Sequence, residues 1–331
     1  MLQSLTIRSI LRDIKFYPFL LAMFNKKFLS YLIFYFSKME ESAKIGSYMR
    51  SLLEKYEKLR GCNPKEVGVP FWDLVVISAG DESQETWYKA QLELKKESGD
   101  LPGVPYLCVA DPPGPRIGSG GSTLHILTKL RHDFGDEIDN WKTIIIHAGG
   151  YSKRLPSHSC SGKIFSPLPI HTGKGGPYQM LDLKLAMYLP FMEIMEPGVF
   201  ITASDDIEVF NIDSLETEGR KGESITALAH PSSLYIGTTH GVYVMKDLSV
   251  NHESLQDVST CLEVLQKPSV DLMRTRGAVI KTDNDEKVYS DSAFWFDAGL
   301  TNKLIDLYKV IIFPCSACQF SETCFVRILG H

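Results

Sequence analysis

The stretch that decides the fold is residues 143–156, which read TIIIHAGGYSKRLP. Three consecutive isoleucines without polar alternation are typical of a strand that is covered on both faces, as in a parallel sheet. The glycine pair and the two basic residues that follow predict a loop at the carboxyl end of this strand. Ligands of open α/β sheets bind at that end, so this stretch predicts both a fold class and the edge of the sheet that carries the site.

The flanking sequence alternates between strand and helix patterns. We predict strands over residues 71–78, 106–110 and 199–203, and helices over residues 39–60, 84–96, 122–134 and 178–195. Pro190 is expected to kink or end the last helix because proline lacks an amide hydrogen. This order predicts an α/β fold with a mainly parallel sheet.

The composition excludes several classes of protein. The 331 residues are 44% hydrophobic and 23% charged, which argues against disorder, collagen and coiled coil. The formal net charge of −5 does not favour a nonspecific nucleic-acid binder. Seven cysteines are too few for a disulfide scaffold, and their spacing does not form a zinc site.

The two ends differ from the rest of the chain. Residues 1–38 carry nine aromatic residues, six basic residues and one acid, with apolar runs at 16–24 and 28–36. Each run is shorter than the about 20 residues that a spanning helix needs, so a membrane anchor is the less favoured interpretation. We expect residues 1–38 to be an extension outside the fold, from an alternative exon or ahead of a start at Met39, and residues 310–331 an unrelated tail. The domain prediction is then a helical lead-in at 39–62 and one domain at 63–309.

The first glycine-rich segment is GPRIGSGGST at residues 114–123, directly before a predicted helix. Gly118, Gly120 and Gly121 allow the backbone to approach a ligand, and the free amides of a helix start favour phosphate. The spacing is not that of the dinucleotide fingerprint. The alternative is an ordinary loop with a Ser or Thr cap.

The second glycine-rich segment is HAGGYSKRLP at residues 147–156. Gly149 and Gly150 precede Lys153 and Arg154, and Lys163 follows within eleven residues of Lys153. Bare backbone with concentrated positive charge suits a polyphosphate. A solvated basic loop is the alternative.

Acidic residues follow two predicted strands. Asp205 and Asp206 come after residues 199–203, and Asp297 ends the aromatic stretch AFWFD at 293–297. Paired carboxylates at strand ends hold Mg²⁺ in many proteins, although helix caps are about equally common. Lys267 before Pro268 is by itself more typical of a surface turn.

These segments together resemble a known family. AGGYSKRL at 148–155, followed by Lys163, resembles the A-G-G-x-G-T-R-L…K signature of sugar-nucleotide pyrophosphorylases, with Ser152 and Lys153 in place of Gly-Thr. The nearer resemblance is to the fucose-1-phosphate guanylyltransferase family, over about residues 40–309. The segments that carry it are FWDLVVISAGDESQ, VADPPGPRIGSGGSTL, HAGGYSKRLP, GKIFSPLP, YQMLDLKLAMY and ITASDDIEVF.

The resemblance implies a Rossmann-like nucleotidyltransferase domain in the cytosol that makes GDP-L-fucose and pyrophosphate from GTP and β-L-fucose 1-phosphate, in fucose salvage. It also implies a C-terminal β-helix region, which we expect this chain to lack. The implied roles are catalysis at the triphosphate by Arg154 and Lys163, nucleotide binding by Gly118, Gly120, Gly121, Gly149, Gly150 and Ser152, sugar-phosphate binding by Lys267, and Mg²⁺ binding by Asp205, Asp206 and Asp297.

Three alternatives stay open. The same chemistry with UTP or mannose 1-phosphate fits the residues equally well, since no pattern in the chain identifies the base. A truncated, inactive form that binds nucleotide or a partner is the second, and a membrane-tethered protein is the third. No nucleic-acid partner is expected, and neither the oligomeric state nor the loop that holds the triphosphate follows from the sequence.

Overall fold

The computed structural model describes residues 26–150, 158, 161–169, 177–208, 210, 225–246, 259–282 and 285–312. The chain divides into two units, Met1–Leu52 with Val209–Asn211, and Leu53–Glu208 with Ile212–His331. The described part of the first unit is mostly the beginning of one helix. The second unit contains the sheet and all the site residues discussed below.

As far as residue 203, strands and helices alternate as the sequence predicts. The strands are β1 Leu74–Ala79, β2 Tyr106–Ala110, β3 Lys142–His147, β4 Gly198–Ala203, β5 Ile225–Ser233, β6 Gly241–Met245, β7 Cys261–Gln266, β8 Ile280–Thr282 and β9 Asp285–Asp297. The helices are α1 Lys26–Leu59, α2 Pro64–Val67, α3 Glu82–Glu97, α4 Gly118–Phe134, α5 Met180–Met187, α6 Phe191–Ile194, α7 Leu234–Gly237, α8 Val270–Thr275 and α9 Ala298–Ile312. Two 3-10 helices lie at Gly135–Asn140 and Lys163–Phe165.

One mixed sheet contains all the described strands. Its central strands follow the order β2-β1-β3-β4 and are parallel, whereas β9 pairs antiparallel with β4. β5 runs along most of β9, while β4 and β6 pair with different parts of it. The prediction of an α/β fold with a mostly parallel central sheet is confirmed.

Both faces of the central strands are covered. On one face, the apolar side of α4 and residues of α9 pack on Ile145 and Val199. On the other face, the ring of Phe200 packs among four aromatic rings. Its centroid lies 4.6 to 6.2 Å from the ring centroids of Trp72, Tyr188, Phe191 and Trp295. This double covering explains why Ile144, Ile145 and Ile146 have no exposed surface and why β3 shows no polar alternation.

The helix ends differ from the predictions in informative places. α4 begins at Gly118 rather than residue 122, so the glycines of the first segment lie in its first turn. The predicted 178–195 helix is interrupted near Pro190, as expected. α5 ends at Met187, and α6 begins directly after Pro190. α1 crosses residue 38 and α9 crosses residue 309, so the predicted domain boundaries coincide with no end of a described element. Within the described residues, no helix combines the length and hydropathy needed to cross a bilayer.

A buried polar group anchors α5. The Asp182 side chain is fully buried and accepts hydrogen bonds from Tyr56 Oη at 2.9 Å, Lys95 Nζ at 2.9 Å and the Gln179 amide at 2.8 Å. Burial, with the Asp182 charge as the next cause, raises the pKa of Tyr56 well above its usual value, so the phenol stays a donor. These bonds fix the start of α5, the helix that carries a lysine to the site.

Candidate active site

The carboxyl ends of the four parallel strands meet at one edge of the sheet. The segments that continue from this edge carry most of the residues singled out by the sequence. The Ser204 amide donates to the His147 carbonyl at 3.1 Å, which places the segment after β4 beside the segment after β3. Asp205 and Asp206 are therefore neighbours of the glycine pair.

Gly149 and Gly150 lie against a third glycine, Gly80, at the end of β1. A Cβ on Gly149 would lie 3.0 Å from the Gly80 nitrogen, and one on Gly80 would lie 2.9 Å from the Gly150 nitrogen. Gln84 joins the two backbones, since its side chain accepts from the Gly80 amide at 2.7 Å and donates to the Gly150 carbonyl at 3.4 Å. Close backbone packing thus favours glycine at 149, and Gly150, at φ 105°, has open space where a Cβ would lie.

Tyr88 joins the glycine pair to Lys163. Its hydroxyl donates to the Ala148 carbonyl at 2.9 Å, and its ring packs edge-on against Phe165 at 5.3 Å. A side chain at Gly162, which adopts φ 80°, would overlap the Tyr88 ring. The tight turn at Gly162 therefore sets where the 3-10 helix begins and where Lys163 emerges.

Lys163 forms an ion pair with Asp205 through Nζ and Oδ2. The Lys163 side chain is 34% exposed and that of Asp205 47% exposed. An exposed pair of this kind contributes little stability, so a polyanion can compete for Lys163. The structure brings together these two predicted site residues, which are 42 positions apart in the chain.

Asp206 pairs with a lysine that was not among the predicted site residues. Lys184 on α5 has no exposed surface, and its Nζ lies 2.6 Å from Asp206 Oδ1. The same ammonium donates to Thr202 Oγ1 at 3.3 Å and to Tyr188 Oη at 3.4 Å. The available signal was one lysine inside the apolar helix MLDLKLAM.

A buried carboxyl group lies behind this pair. Glu208 accepts from Tyr188 Oη at 2.8 Å and from the Ser292 hydroxyl. Burial raises the pKa of Glu208, while the hydroxyl bonds and the nearby Lys184 charge lower it. Burial also raises the pKa of Tyr188 well above its usual value. Asp206 is thus held at the exposed end of an otherwise buried polar network.

Asp297 lies far from the other two predicted metal ligands. It pairs with Gly198, the first residue of β4, whereas Asp205 and Asp206 follow the last residue of that strand. Six residues of strand span about 20 Å. Its Oδ1 accepts from the Leu300 amide at 2.9 Å, so the carboxylate caps the start of α9. The register separates Asp297 from Asp205 and Asp206.

Lys267 lies near a carboxylate that was also not among the predicted site residues. Its amide donates to the His240 carbonyl at 3.0 Å, and it adopts φ 45°. Asp291 on β9 accepts from the Gly241 amide at 3.0 Å. Burial raises the pKa of Asp291, and the charges of His240 and Lys267 oppose that rise. On β9, Phe294 pairs with Ile201 of β4, and Asp291 lies three residues before Phe294. Because the two strands are antiparallel, Asp291 lies level with the carboxyl end of β4.

The first glycine-rich segment begins α4 without a side-chain cap. The cap residue is Ile117, and no hydrogen bond to its side chain caps the helix. Gly118 adopts φ 68° with open space around it, whereas a Cβ on Gly121 would lie 2.8 Å from the Ile117 Cβ. Gly120 lies in the same turn. The alternative of a Ser or Thr cap is not what the structure has, and the first amides of a long helix remain available for an anion.

Two predicted site residues, Ser152 and Arg154, and the predicted Mg²⁺ complete the candidate site. Ser152 and Arg154 lie outside the described residues. In the described part of the chain, no three His, Cys, Asp or Glu side chains gather as a metal site. Asp205 and Asp206 still fit Mg²⁺ in its usual protein mode, in which one or two carboxylates act with substrate phosphates and water.

Comparisons with known proteins agree with the residue pattern. The Fucose pyrophosphorylase domain family matches residues 135–322, which extends past residue 309. The chain is 44% identical over 277 residues to the fucose-1-phosphate guanylyltransferase of Mus musculus, covering 78% of this chain and 46% of that protein. It is 41% identical over 300 residues to that of Homo sapiens, covering 84% and 48%. It is 29% identical over 270 residues to the bifunctional fucokinase/GDP-fucose pyrophosphorylase of Arabidopsis thaliana, covering 74% and 25%.

The chain therefore spans about half the length of the mammalian relatives that it matches. No solved structure matches it.

Proposed function

The chain belongs to the fucose pyrophosphorylase family, and we propose that it transfers a guanylyl group from GTP to fucose 1-phosphate, forming GDP-fucose and releasing pyrophosphate. The names of its mammalian relatives support the substrates. The observation that carries the proposal is the position of Lys163, Asp205 and Asp206 together beside the Gly149–Gly150 backbone, at the edge of the sheet where α/β proteins bind ligands.

The reaction is an in-line transfer. An oxygen of the sugar phosphate attacks the α-phosphorus of GTP, the bond from that phosphorus to the bridging oxygen of the β-phosphate breaks, and pyrophosphate leaves. Such reactions depend on positioning and on charge stabilisation. We assign Arg154 and Lys163 to the triphosphate, with Lys163 exchanging its Asp205 partner for phosphate oxygens.

Asp205 and Asp206 are the proposed Mg²⁺ ligands. The metal, when bound, neutralises charge on the phosphates. Lys184 holds the Asp206 carboxylate by one oxygen, which leaves its other oxygen for a cation. Asp297 is not part of this proposal because its carboxylate caps α9.

The glycine-rich segments frame the nucleotide in this proposal. The first turn of α4, with Gly118, Gly120 and Gly121, and the second segment, with Gly150 and Ser152, supply backbone and hydroxyl donors. Lys267 binds the sugar phosphate in this proposal. Its position, level with the carboxyl end of β4, supports that role. A Rossmann-like nucleotidyltransferase fold and a cytoplasmic place in fucose salvage complete the proposal.

A substrate panel tests this function. The full chain is incubated with fucose 1-phosphate, Mg²⁺ and GTP, UTP or ATP, and pyrophosphate release is followed. We expect turnover with GTP that exceeds turnover with UTP and ATP and that stops when EDTA is added. Mannose 1-phosphate replaces fucose 1-phosphate in a matched arm, where slower turnover is expected. Equal rates with UTP would overturn the assignment of guanine.

A binding function without catalysis is the second candidate. The pairing of both proposed metal ligands with lysines favours it. A rise in melting temperature with GTP but no pyrophosphate release in any arm would support this candidate over the enzyme.

A further inference from the structure

His147 begins the second glycine-rich segment and contacts the first through its side chain, and that side chain has no role in the proposed site. It is the last residue of β3. Its Nδ1 lies 3.2 Å from Ser78 Oγ on β1, and its Nε2 lies 2.9 Å from Thr123 Oγ1 on α4. Ser78 is 2% exposed and Thr123 is 3% exposed. Both ring nitrogens are therefore engaged by buried hydroxyl groups.

The neighbours of the two hydroxyls determine the direction of each bond. Thr123 Oγ1 donates its one hydrogen to the Ser119 carbonyl at 2.9 Å, so it accepts from His147 Nε2. Ser78 Oγ accepts from the Ala148 amide at 3.1 Å, which leaves its hydrogen for His147 Nδ1. The network is satisfied when the imidazole is neutral and carries its proton on Nε2.

A charged imidazole does not fit this network. With a second proton on Nδ1, His147 would direct a donor at Ser78 Oγ, whose hydrogen would then lose its acceptor in the network. Burial of the ring lowers the pKa of His147 to about 4, in the same direction. The neutral form is therefore the one that the surrounding residues accommodate.

The two ends of the network are the two glycine-rich segments. Ser119 stands between Gly118 and Gly120 in the first turn of α4, and Ala148 directly precedes Gly149. An unbroken series of hydrogen bonds thus runs from the first turn of α4 through one imidazole to the backbone after β3. A shift of either segment would lengthen at least one of these bonds.

We propose that His147, as its Nε2–H tautomer, is a positioning residue that holds the two glycine-rich segments at the separation that binds the nucleotide. This inference rests on the proposed function, since the ligand is taken to be GTP. His147 itself does not touch the substrate. Its loss weakens nucleotide binding because both segments must then be ordered by the ligand.

Two threonines of α4 supply a matched pair of variants. Thr123→Val removes the hydroxyl that receives Nε2–H, while Thr128→Val removes an equivalent bond, from Thr128 Oγ1 to the Leu124 carbonyl at 2.9 Å, that involves no histidine. We expect Thr123→Val to raise KM for GTP about tenfold with kcat changed less than threefold, the scale of one buried hydrogen bond. Thr128→Val should change neither.

The kinetic pattern separates positioning from stability. A residue that only supported folding would lower the active fraction, and with it kcat, while KM for GTP stayed constant. That result with Thr123→Val would overturn the proposal. Thr123→Ser, which keeps the hydroxyl, should leave KM for GTP close to that of the unaltered chain.

A readout without GTP tests the network itself. In uniformly ¹⁵N-labelled full chain, two-bond ¹H–¹⁵N spectra should show His147 as the neutral Nε2–H tautomer from pH 8 to pH 5.5. Thr123→Val should shift the Ala148 amide resonance, and Thr128→Val should not. An Nδ1–H tautomer, or an unmoved Ala148 resonance, would overturn the positioning role even if GTP binds. Absence of GTP binding by the unaltered chain, with both spectral results as expected, would instead overturn the proposed ligand.

Discussion

Lys184 Nζ and Asp206 Oδ1 lie 2.6 Å apart, with the lysine side chain fully buried and the aspartate side chain 40% exposed. The pair is therefore asymmetric. Removal of Asp206 leaves a buried ammonium whose two other hydrogen bonds are to neutral hydroxyl groups. Removal of Lys184 leaves a carboxylate that water already reaches.

This asymmetry predicts an order of stabilities. Asp206→Ala should lower the free energy of unfolding by about 3 kcal/mol, the usual cost of leaving a buried charge without its partner. Lys184→Met should cost less, because it removes the buried charge altogether. Urea denaturation of both variants measures the difference. Asp205→Ala is the matched control, since its lysine is exposed and the expected loss is under about 1 kcal/mol. Equal losses at all three positions would contradict the prediction.

The two proposed catalytic cations should be indispensable for rate. Arg154→Ala and Lys163→Ala should each lower kcat for pyrophosphate release by about 100- to 1000-fold, the scale of removing one preorganised charge donor. Arg276→Ala is the control, because Arg276 is exposed and pairs with Glu263 on another part of the sheet. Unchanged rates in the first two variants would rule out their assignment.

The stability of the fold should depend on pH through His147. Its pKa is about 4 in the fold and about 6.5 in an unfolded chain. Between these values the unfolded chain binds more protons, so this contribution is complete above pH 6.5 and is lost as the pH falls towards 4. The loss is at most about 1.4 kcal/mol per pH unit.

Urea midpoints at pH 7.5 and 5.5 measure this effect. His147→Gln should be less sensitive to acid than the unaltered chain. His132→Gln, at a side chain that is 86% exposed, should retain the full sensitivity. If both variants keep it, another group carries the dependence.

A side chain at Gly162 is expected to lower the stability of the fold. Gly162→Ala combines a left-handed φ of 80° with overlap of the Tyr88 ring. Gly277→Ala also places a side chain at a positive φ, 72°, but in open space, so it is the control without overlap. We expect about 1 kcal/mol for Gly277→Ala and about 1 to 3 kcal/mol more for Gly162→Ala, measured by thermal unfolding. The two variants should be indistinguishable only if Tyr88 moves freely.

Asp297 and Asp206 should separate by their response to Mg²⁺. Asp297→Ala removes a helix cap and should cost about 1 kcal/mol of stability without changing the Mg²⁺ concentration that gives half-maximal rate. Asp206→Asn should raise that concentration. A raised Mg²⁺ requirement in Asp297→Ala would show that the register of β9 does not decide the ligand set.

The parallel strands of the sheet were predictable from the sequence because they are short apolar runs separated by polar and glycine-rich segments. Residues 106–110 and β2 coincide, and residues 143–147 fall within β3. The spatial partner of a strand was not predictable in the same way. Asp297 ends a strand as expected, but only the antiparallel pairing with β4 shows that it lies at the opposite edge from Asp206.

The candidate site was predictable where a short segment by itself contains the functional side chain. Lys163 and Asp205 were both predicted in this way, each from its own segment. Lys184 was missed because a lysine among apolar helix residues looks exposed until the helix is seen to be buried on all sides. Gly149 was predicted to let the backbone approach a ligand closely. In the described residues its backbone packs against Gly80, which lies 69 residues earlier in the chain.

The long strand β9 has a consequence for how the chain folds. Ile201 and Phe294 are paired neighbours, but 93 residues of synthesis separate them. At the usual rates of translation, about 5 to 20 s pass before β4 gains this partner. During that interval the nascent chain presents an unpaired strand edge rich in valine, phenylalanine and isoleucine, the kind of surface that recruits chaperones or other chains. Late docking of β9 is thus the step at which slow folding would most expose this protein to aggregation.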